Sequence, residues 1–484
     1  MKAIFFTEGG RGNGFGHALR CTAIKRAFEQ LGIKTELIVK GDGSLARVLG
    51  RGSYTAKDWQ AGRAGKLAAG ADIALVDSYL AGGKIYREIA AVAKHCLYLD
   101  DCARLDYPDG TVINYNAYAS AMRYPRRRGA RYLLGAAYAP LRKEFMSPVV
   151  RKTQKNIRKA LLVFGGADTA GLTEQTLKFL AANCPGIKKT VIAGGEAART
   201  AAERLKDKNT KVLFNADTAA VRKEMLGCDL AFTAGGVTLY ELARTGTPSI
   251  VFCVAENQKR NVKAMAKVGA VRQAGLSAGE IQVSGLKKLM VRMAAPVCRR
   301  RMSAAGMKVV DGLGALRVAK YARALLLRDE ITVRRARSAD VLPVFRLSNE
   351  PAVRECSINV RRIILAGHKK WFAEKLKDPS SLFLIAEYKG KFAGQVRFSL
   401  EGRTATLSIS VAAKMRGLGA GRVILSKALE ALLSRYPKTA VLAYVKRDNT
   451  ASRKLFENGG FKKIGEPRAG GAKLYLYKYP GGKI

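Results

Sequence analysis

An α/β chain of two parallel-sheet units followed by a smaller α+β unit is predicted by three observations. Short apolar runs alternate with helical patterns over residues 1 to about 145. The same rhythm restarts at Lys159, and antiparallel β signals take over from Ile331. At 484 residues the chain has room for two to four domains, and 48% hydrophobic residues suffice for several cores. We place the units at residues 1–150, 151–328 and 329–484.

In the first unit the strand candidates are Ala3–Phe6, Thr35–Val39, Ile73–Val76 and Cys96–Leu99, with helices such as Ala18–Leu31 between them. The loop Gly12-Asn13-Gly14-Phe15-Gly16-His17 joins the first strand to that helix. A strand, a glycine turn and a helix start together aim backbone N–H groups at an anion, here through Gly14 and Gly16. His17 is one of only 3 histidines and stands at the helix start. There a neutral imidazole suits a general base, or equally a cap or a donor to phosphate. Asp77, Asp100 and Asp101 fall at strand ends, where each would bind sugar or orient His17.

The second unit opens with Lys159–Phe164 and Gly165-Gly166, after a polar linker, Arg151–Lys159. Lys189–Ala193, Val212–Phe214, Leu230–Thr233 and Ser249–Phe252 follow as strands. Thr233-Ala234-Gly235-Gly236-Val237-Thr238-Leu239-Tyr240-Glu241 repeats the strand–glycine–helix pattern. Gly235 and Gly236 would let a diphosphate approach the backbone, Thr238 adds a hydroxyl, and Glu241 can accept from ribose hydroxyls or remain a solvated glutamate. Glu256, Asn257, Gln258 and Asn261, past the next strand, carry groups that read sugar hydroxyls and acetamido groups. Ligands of such sheets bind beyond the carboxyl ends of the strands, so two halves imply a cleft.

The third unit reads as Ile331–Arg334, Leu382–Tyr388, the turn Lys389-Gly390-Lys391, Phe392–Leu400 and Ala405–Val411. A second glycine loop comes next, Arg416-Gly417-Leu418-Gly419-Ala420-Gly421, then strand Ala440–Val445 and helix Ser452–Asn458. The loop's backbone suits a pyrophosphate, and the exposed backbone of Ser410 and Val411 suits a pantetheine arm.

Bulk properties exclude several classes. The apolar runs are too short to span a bilayer, and the N-terminal run turns acidic at Glu8, too soon for a signal peptide. The 8 cysteines are scattered without a CxxC pair, which favours reduced thiols in a cytoplasm over disulfides or a zinc site. No cluster has metal-ligand spacing, so metal-free chemistry is expected. The net charge of +48 suits a solvated basic surface, anionic substrates or nucleic acid. Its longest basic runs, Arg126–Arg128 and Arg299–Arg301, are short, and no aromatic ladder for bases accompanies them. A basic nucleic-acid-binding protein with a lysine-acetylating domain is therefore the rival from another class, and it would bind with steep salt dependence.

Residues 1–325 resemble the UDP-sugar hydrolases of pseudaminic acid biosynthesis and their SpsG-like relatives. The resemblance rests on Gly14–Cys21, Val76-Asp77-Ser78-Tyr79, Leu99-Asp100-Asp101, Ile113–Asn116, Leu134–Phe145, Phe164–Asp168, Gly235–Glu241 and Glu256-Asn257-Gln258, in that order. It implies a GT-B fold of two Rossmann-like domains, shared with MurG-type glycosyltransferases. It also implies hydrolysis of UDP-2,4-diacetamido-2,4,6-trideoxy-β-L-altropyranose with inversion. His17 would be the base, and Gly14, Gly16, Arg20, Asp77, Tyr79, Gly235, Gly236, Thr238, Glu241, Glu256, Asn257 and Gln258 would hold the UDP-sugar. A glycosyltransferase sharing the UDP half is the rival within this class.

Residues 331–480 resemble GNAT acetyltransferases. The Arg-x-x-Gly-x-Gly loop and the spacing from Asn449 to Gly460-Phe461 carry this resemblance. It implies acetyl-CoA as cosubstrate, bound by Ser410, Val411, Arg416, Gly417, Leu418, Gly419, Ala420, Gly421, Asn449 and Ser452. Many members place a tyrosine, the usual general acid, where Phe456 stands, so no acid is assigned. Asn349-Glu350 and Trp371-Phe372 look like the substrate side of the enzymes that acetylate the 4-amino group of a UDP-amino-sugar in the same pathway. The expected partners are UDP-amino-sugars and, transiently, other enzymes of nonulosonic acid biosynthesis, with neither membrane nor specific nucleic acid.

Overall fold

The computed structural model describes residues 1–10, 14–165, 168 and 170–480, with Asn257 described by its backbone alone. Gly12 and Asn13 of the first loop, and Gly166 and Ala167 of the loop that opens the second half, lie outside the described residues. The chain forms two compact units, Met1–Ala319 and Lys320–Ile484.

The first unit holds two parallel sheets. Strands β1 (Lys2–Gly9), β2 (Lys34–Gly41), β3 (Thr55–Ala56), β4 (Ile73–Asp77), β5 (His95–Leu99), β6 (Gly110–Asn114) and β7 (Ala130–Leu134) lie in the order β3-β2-β1-β4-β5-β6-β7. Strands β8 (Lys159–Val163), β9 (Lys188–Ala193), β10 (Thr210–Phe214), β11 (Leu230–Ala234), β12 (Ser249–Phe252) and β13 (Arg272–Ala274) lie in the order β10-β9-β8-β11-β12-β13. A two-stranded hairpin, β14 (Leu276–Ser277) and β15 (Glu280–Ile281), stands apart. β1 is buried from Ala3 to Gly9 on both faces, as a central parallel strand covered by helices must be. The helix Gly16–Gln30 covers one face with Ala18, Cys21, Ile24 and Phe28, whose spacing of three and four makes a single apolar stripe. Phe28 meets Phe5 of β1 edge-on at 5.3 Å. The helix starts at Gly16, before the Ala18 that its apolar pattern marks, because glycine and histidine carry no apolar signal.

Both sheets reverse their direction of growth between adjacent strands, β1 with β4 and β8 with β11. The loops leaving these strands splay to opposite faces, and the crevice between them is where ligands of such sheets bind. His17 follows β1 and Asp77 ends β4, so both stand at one switch point. Gly165 follows β8 and Gly235 follows β11, at the other.

In the second unit, β16 (Ile331–Arg335), β17 (Ser381–Tyr388), β18 (Lys391–Glu401), β19 (Thr404–Val411), β20 (Ala440–Lys446), β21 (Lys462–Gly465) and β23 (Ala472–Tyr479) form a sheet ordered β16-β17-β18-β19-β20-β23-β21, with β22 (Arg468–Ala469) pairing β23. The helix Ala420–Arg435 buries Ile424, Ala428, Leu429 and Leu432 against Leu384, Val396, Phe398 and Leu407 on one face. A smaller cluster of Val344, Phe372, Phe383 and Ile385 lies on the other. β19 and β20 run parallel and pair only from Thr404 to Thr406 against Ala440 to Leu442. Beyond that the strands part, and the edge of β19 from Leu407 to Val411 has no ladder partner on that side.

Among the described residues, no helix is long and apolar enough to cross a membrane.

Candidate functional site

The first site is built around one buried carboxylate. Asp77 Oδ1 accepts from His17 Nδ1 at 2.7 Å, and Arg20 clasps the same group with Nη2 to Oδ1 at 2.5 Å and Nε to Oδ2 at 2.6 Å. His17 and Arg20 reach Asp77 together because they lie three residues apart on one helix face. Burial alone would raise the Asp77 carboxyl, but the charges and hydrogen bonds of Arg20 and His17 overcome it and hold the carboxyl well below its ordinary range. An ionised Asp77 can only accept, so the proton at its contact with His17 sits on Nδ1. Arg20 Nη2 also lies 3.1 Å from Nδ1. Both atoms then carry protons, so this approach reflects a shared acceptor and not a bond. In the neutral imidazole this leaves the lone pair on Nε2 of His17.

Arg20 is fully engaged on its other side. Its Nη1 donates to Asp101 Oδ2 at 2.9 Å and to the Tyr115 hydroxyl at 2.8 Å. Burial lowers its pKa, and Asp101 and Asp77 more than restore it. Tyr79 donates its hydroxyl to Asp101 Oδ2 at 2.5 Å and sets its ring edge-on to His17 at 4.6 Å. Asp101 also takes Asn116 Nδ2 at 3.1 Å. Asp100 turns away, to the backbone of Ala103 and the hydroxyls of Tyr107 and Tyr124.

Glu8, at the end of β1, was not marked as a site residue by the sequence, yet it organises the turn after β4. It is 2% exposed. Its Oε1 accepts from the backbone N–H of Tyr79 at 2.7 Å, and its Oε2 accepts from the Ser78 hydroxyl and from Gln60 Nε2. The signal was present as an acid two residues past the apolar run Ala3–Phe6, where burial requires several donors around it.

In the second sheet, Gly235 is buried and Gly236 exposed at the end of β11. A Cβ on Gly235 would lie 2.7 Å from Val262 Cγ2 and 2.9 Å from Gln258 Cβ, so only glycine fits, whereas Gly236 faces open space. Gln258 Oε1 accepts from the N–H of Gly235 at 3.2 Å and fixes the turn. Thr238 is half-buried at the start of the following helix, and Glu256 is exposed and paired with Lys259 at 2.6 Å. Glu241 is buried. Burial raises its pKa against the opposing pull of Arg142, whose Nε donates to Oε1 at 2.9 Å.

The two sheets of this unit meet at these sites. The N–H of Ala117 donates to the Tyr240 hydroxyl at 3.2 Å and to Asn261 Oδ1 at 3.1 Å. The Tyr115 and Tyr240 rings meet edge-on at 5.5 Å. A continuous line of contacts thus runs from His17 through Asp77, Arg20, Tyr115 and Tyr240 to the helix that carries Glu241.

The second site lies where β19 and β20 part. Gly417 and Gly419 take φ of +72° and +87°, and a side chain on either would point into open space. Leu418 is partly exposed, Ala420 is buried, and Gly421 sits against Val411 and Leu455. Arg416 Nε donates to the Val411 carbonyl at 2.8 Å, and its Nη2 pairs with Glu350. Asn449 accepts from the Ser452 N–H at 3.0 Å and caps the helix Thr450–Asn458. The strand edge through Ser410 and Val411 and the open glycine turn fit an extended chain ending in a pyrophosphate. Phe456 is 3% exposed, packed between Phe461 and Tyr477.

Residues 350–461 match the Acetyltransferase (GNAT) family. The C-terminal unit carries a GNAT acetyltransferase domain. Over 267 residues the chain is 24% identical to a pseudaminic acid cytidylyltransferase and UDP-2,4-diacetamido-2,4,6-trideoxy-beta-L-altropyranose hydrolase of Helicobacter pylori, covering 54% of this chain and 46% of that protein. Over 169 residues it is 27% identical to the spore coat polysaccharide biosynthesis protein SpsG of Bacillus subtilis, covering 34% of this chain and 50% of that one. The chain thus spans about half the length of these curated relatives. Among solved structures, a spermidine N-acetyltransferase from Vibrio cholerae with CoA and spermine matches 31% of this chain and 95% of its own at 16% identity and a TM-score of 0.29. A putative acetyltransferase from Salmonella typhimurium with acetyl-CoA matches 31% and 94% at 22% identity and a TM-score of 0.28. The chain therefore joins a segment like a sugar-nucleotide hydrolase to an acetyltransferase domain.

Proposed function

We propose that this chain performs two consecutive steps on one sugar nucleotide. The first is acetyl-CoA-dependent N-acetylation of a UDP-4-amino-sugar. The second is hydrolysis of UDP-2,4-diacetamido-2,4,6-trideoxy-β-L-altropyranose to free sugar and UDP. The observation that carries the hydrolase reading is the His17–Asp77–Arg20 cluster at the first switch point, in a segment similar to the Helicobacter pylori protein.

In this reading residues 1–150 and 151–328 are the two domains of a GT-B fold, and the sugar nucleotide lies between the loops of Gly14, Gly16 and His17 and of Gly235, Gly236 and Thr238. His17 Nε2 takes a proton from water, the water oxygen attacks the anomeric carbon, and the bond from that carbon to the diphosphate oxygen breaks with inversion. Its electron pair leaves on UDP. Asp77 stabilises the imidazolium as it forms and holds the ring so that Nε2 faces the water. The exposed N–H of Gly236 faces the charge gathering on the departing diphosphate, while that of Gly235 is held by Gln258. Arg20 acts by locking Asp77 to Asp101, and Tyr79 packs beside the imidazole. Glu241, aligned by Arg142, with Glu256, Asn257 and Gln258, completes the nucleotide side.

In the GNAT domain the residues present fit acetyl-CoA, which supplies a thioester open to attack by an amine. Ser410 and Val411 offer the strand edge, the loop from Arg416 to Gly421 offers the pyrophosphate cradle, and Asn449 and Ser452 close the helix beside it. Positioning does most of this reaction, because thiolate is a good leaving group. Joining both activities on one chain raises the concentration of the intermediate near its second site.

His17→Ala tests the hydrolase assignment. Hydrolysis is abolished while UDP affinity stays within about threefold, because a general base contributes about 10²–10⁴ to rate and little to ground-state binding. Equal loss of both sinks the base role.

A further inference from the structure

Arg397, in the middle of β18, carries its charge on the sheet face without a counter-charge among the described residues. Arg299, Arg323 and Arg354 also lack a carboxylate, yet each donates to backbone carbonyls. Arg397 is half-buried, and among the described residues it has neither an ion pair nor a side-chain hydrogen bond. Its guanidinium instead faces the Trp371 ring, 5.0 Å from its centroid. Burial lowers its pKa, and no acid opposes that shift. A half-buried guanidinium with no protein partner keeps its N–H donors open to a ligand that brings the charge.

The sheet places this group on the face away from the main core. Val396 and Phe398, its neighbours in β18, pack toward the helix Ala420–Arg435, so Arg397 points the other way. Directly opposite in the ladder stands Ser408 of β19, on the same face. Ser408 and Thr406 are exposed, so this part of the face is open. Ser408 precedes Val411 by three residues, about 10 Å along the strand. The Arg397 position is thus about 10 Å along the sheet from the strand edge assigned above to acetyl-CoA.

We propose that Arg397, stacked on Trp371 and flanked by the Ser408 hydroxyl, is a specificity-determining anion subsite that holds the diphosphate of the acceptor during acetylation. This deepens the acetyltransferase half of the function proposed above and rests on it. A guanidinium supplies paired N–H donors to phosphate oxygens, and the indole face keeps its plane fixed. An amino sugar that still carries its nucleotide would be selected over the same sugar without it, so acetylation would precede loss of UDP.

The test measures CoA thiol release by the full chain, with the UDP-4-amino-sugar and with the same amino sugar lacking UDP. In Arg397→Gln the KM for the nucleotide sugar rises at least about tenfold. Its kcat/KM for the sugar without UDP stays within about twofold, and Arg397→Lys falls between. Equal loss on both substrates, or none on either, overturns the subsite. A second readout uses inorganic pyrophosphate and tryptophan fluorescence, the chain having only 2 tryptophans, with Trp59 common to both proteins compared. A saturable change present in the natural chain and absent in Arg397→Gln supports the anion subsite even where no amino sugar is acetylated, which would fail the proposed substrate alone. An identical response in both proteins overturns the subsite.

Discussion

Replacing Asp77 with asparagine removes one charge and leaves the shape, so the effect is set by the donors around it. Oδ1 receives His17 Nδ1 at 2.7 Å and Arg20 Nη2 at 2.5 Å, while Oδ2 receives Arg20 Nε at 2.6 Å. An amide has only one acceptor. If its oxygen takes the Oδ1 position, its NH₂ faces Arg20 Nε, and two donors oppose each other. If it takes the Oδ2 position, the NH₂ faces His17 and the imidazole turns to accept at Nδ1, which puts the proton on Nε2, where water must deliver one. An unpaired buried donor costs about 1–3 kcal/mol and a broken buried ion pair about 3–5 kcal/mol. In serine proteases, the same change behind a catalytic histidine costs about 10⁴ in kcat, about 5.5 kcal/mol at 1.36 kcal/mol per tenfold. We expect Asp77→Asn to lower kcat for UDP release by about 10³–10⁴ while calorimetric UDP affinity changes by less than about fivefold. Far-UV circular dichroism establishes that the variant is folded. A folded Asp77→Asn protein that keeps more than a tenth of the hydrolytic rate refutes the orienting role of Asp77.

The same carboxyl makes stability depend on acid. Its native pKa lies below the unfolded value near 3.9, so its stabilising contribution is full above about pH 5 and is lost as pH falls toward the native value. Denaturant titrations should show the stability gap between the natural chain and Asp77→Asn shrinking below pH 4, and a gap constant from pH 3 to 6 contradicts this. Gly235→Ala forces a methyl to 2.7 Å from Val262 Cγ2, so it should cost about 1–3 kcal/mol by thermal unfolding and weaken UDP binding, with His17 untouched. Phe456→Tyr would add a hydroxyl between Phe461 and Tyr477 in a packed core, so acetyl transfer should not accelerate and the melting temperature should fall by several degrees. A rate gain above about threefold would show that this position reaches the leaving thiolate.

The strands before the Gly14 and Gly235 loops were legible because parallel strands buried on two faces read as continuous apolar runs. β6 and β7 carry less signal. β6 opens at Gly110 with φ +155°, and β7 follows the run Arg126-Arg127-Arg128, whose charge masks a short edge strand. β23 carries a strand-like run, Leu474-Tyr475-Leu476-Tyr477, between Lys473 and Lys478, and it was not marked as a strand. In the site, His17 and the glycines announced themselves by type and local spacing. Their partners did not, because Arg20 meets Asp77 across 57 residues and Arg142 meets Glu241 across 99. Arg20 and Glu241 were expected on the ligand, and the fold shows their charges already engaged by protein groups. The sheet order reveals the first pairing by bringing β1 beside β4, and the second appears only where the two sheets of this unit meet, at Ala117 with Tyr240 and Asn261. Phe456 was conspicuous as a departure at the usual tyrosine position, and its burial explains why phenylalanine is tolerated there.

Phosphorus NMR of the purified chain with the UDP-4-amino-sugar, with and without acetyl-CoA, tests the central claim most directly. The account predicts UDP release only when acetyl-CoA is present, because acetylation creates the substrate for hydrolysis. Accumulation of free CoA with no UDP in either sample would contradict it, leaving an acetyltransferase joined to a first unit that does not hydrolyse this sugar nucleotide.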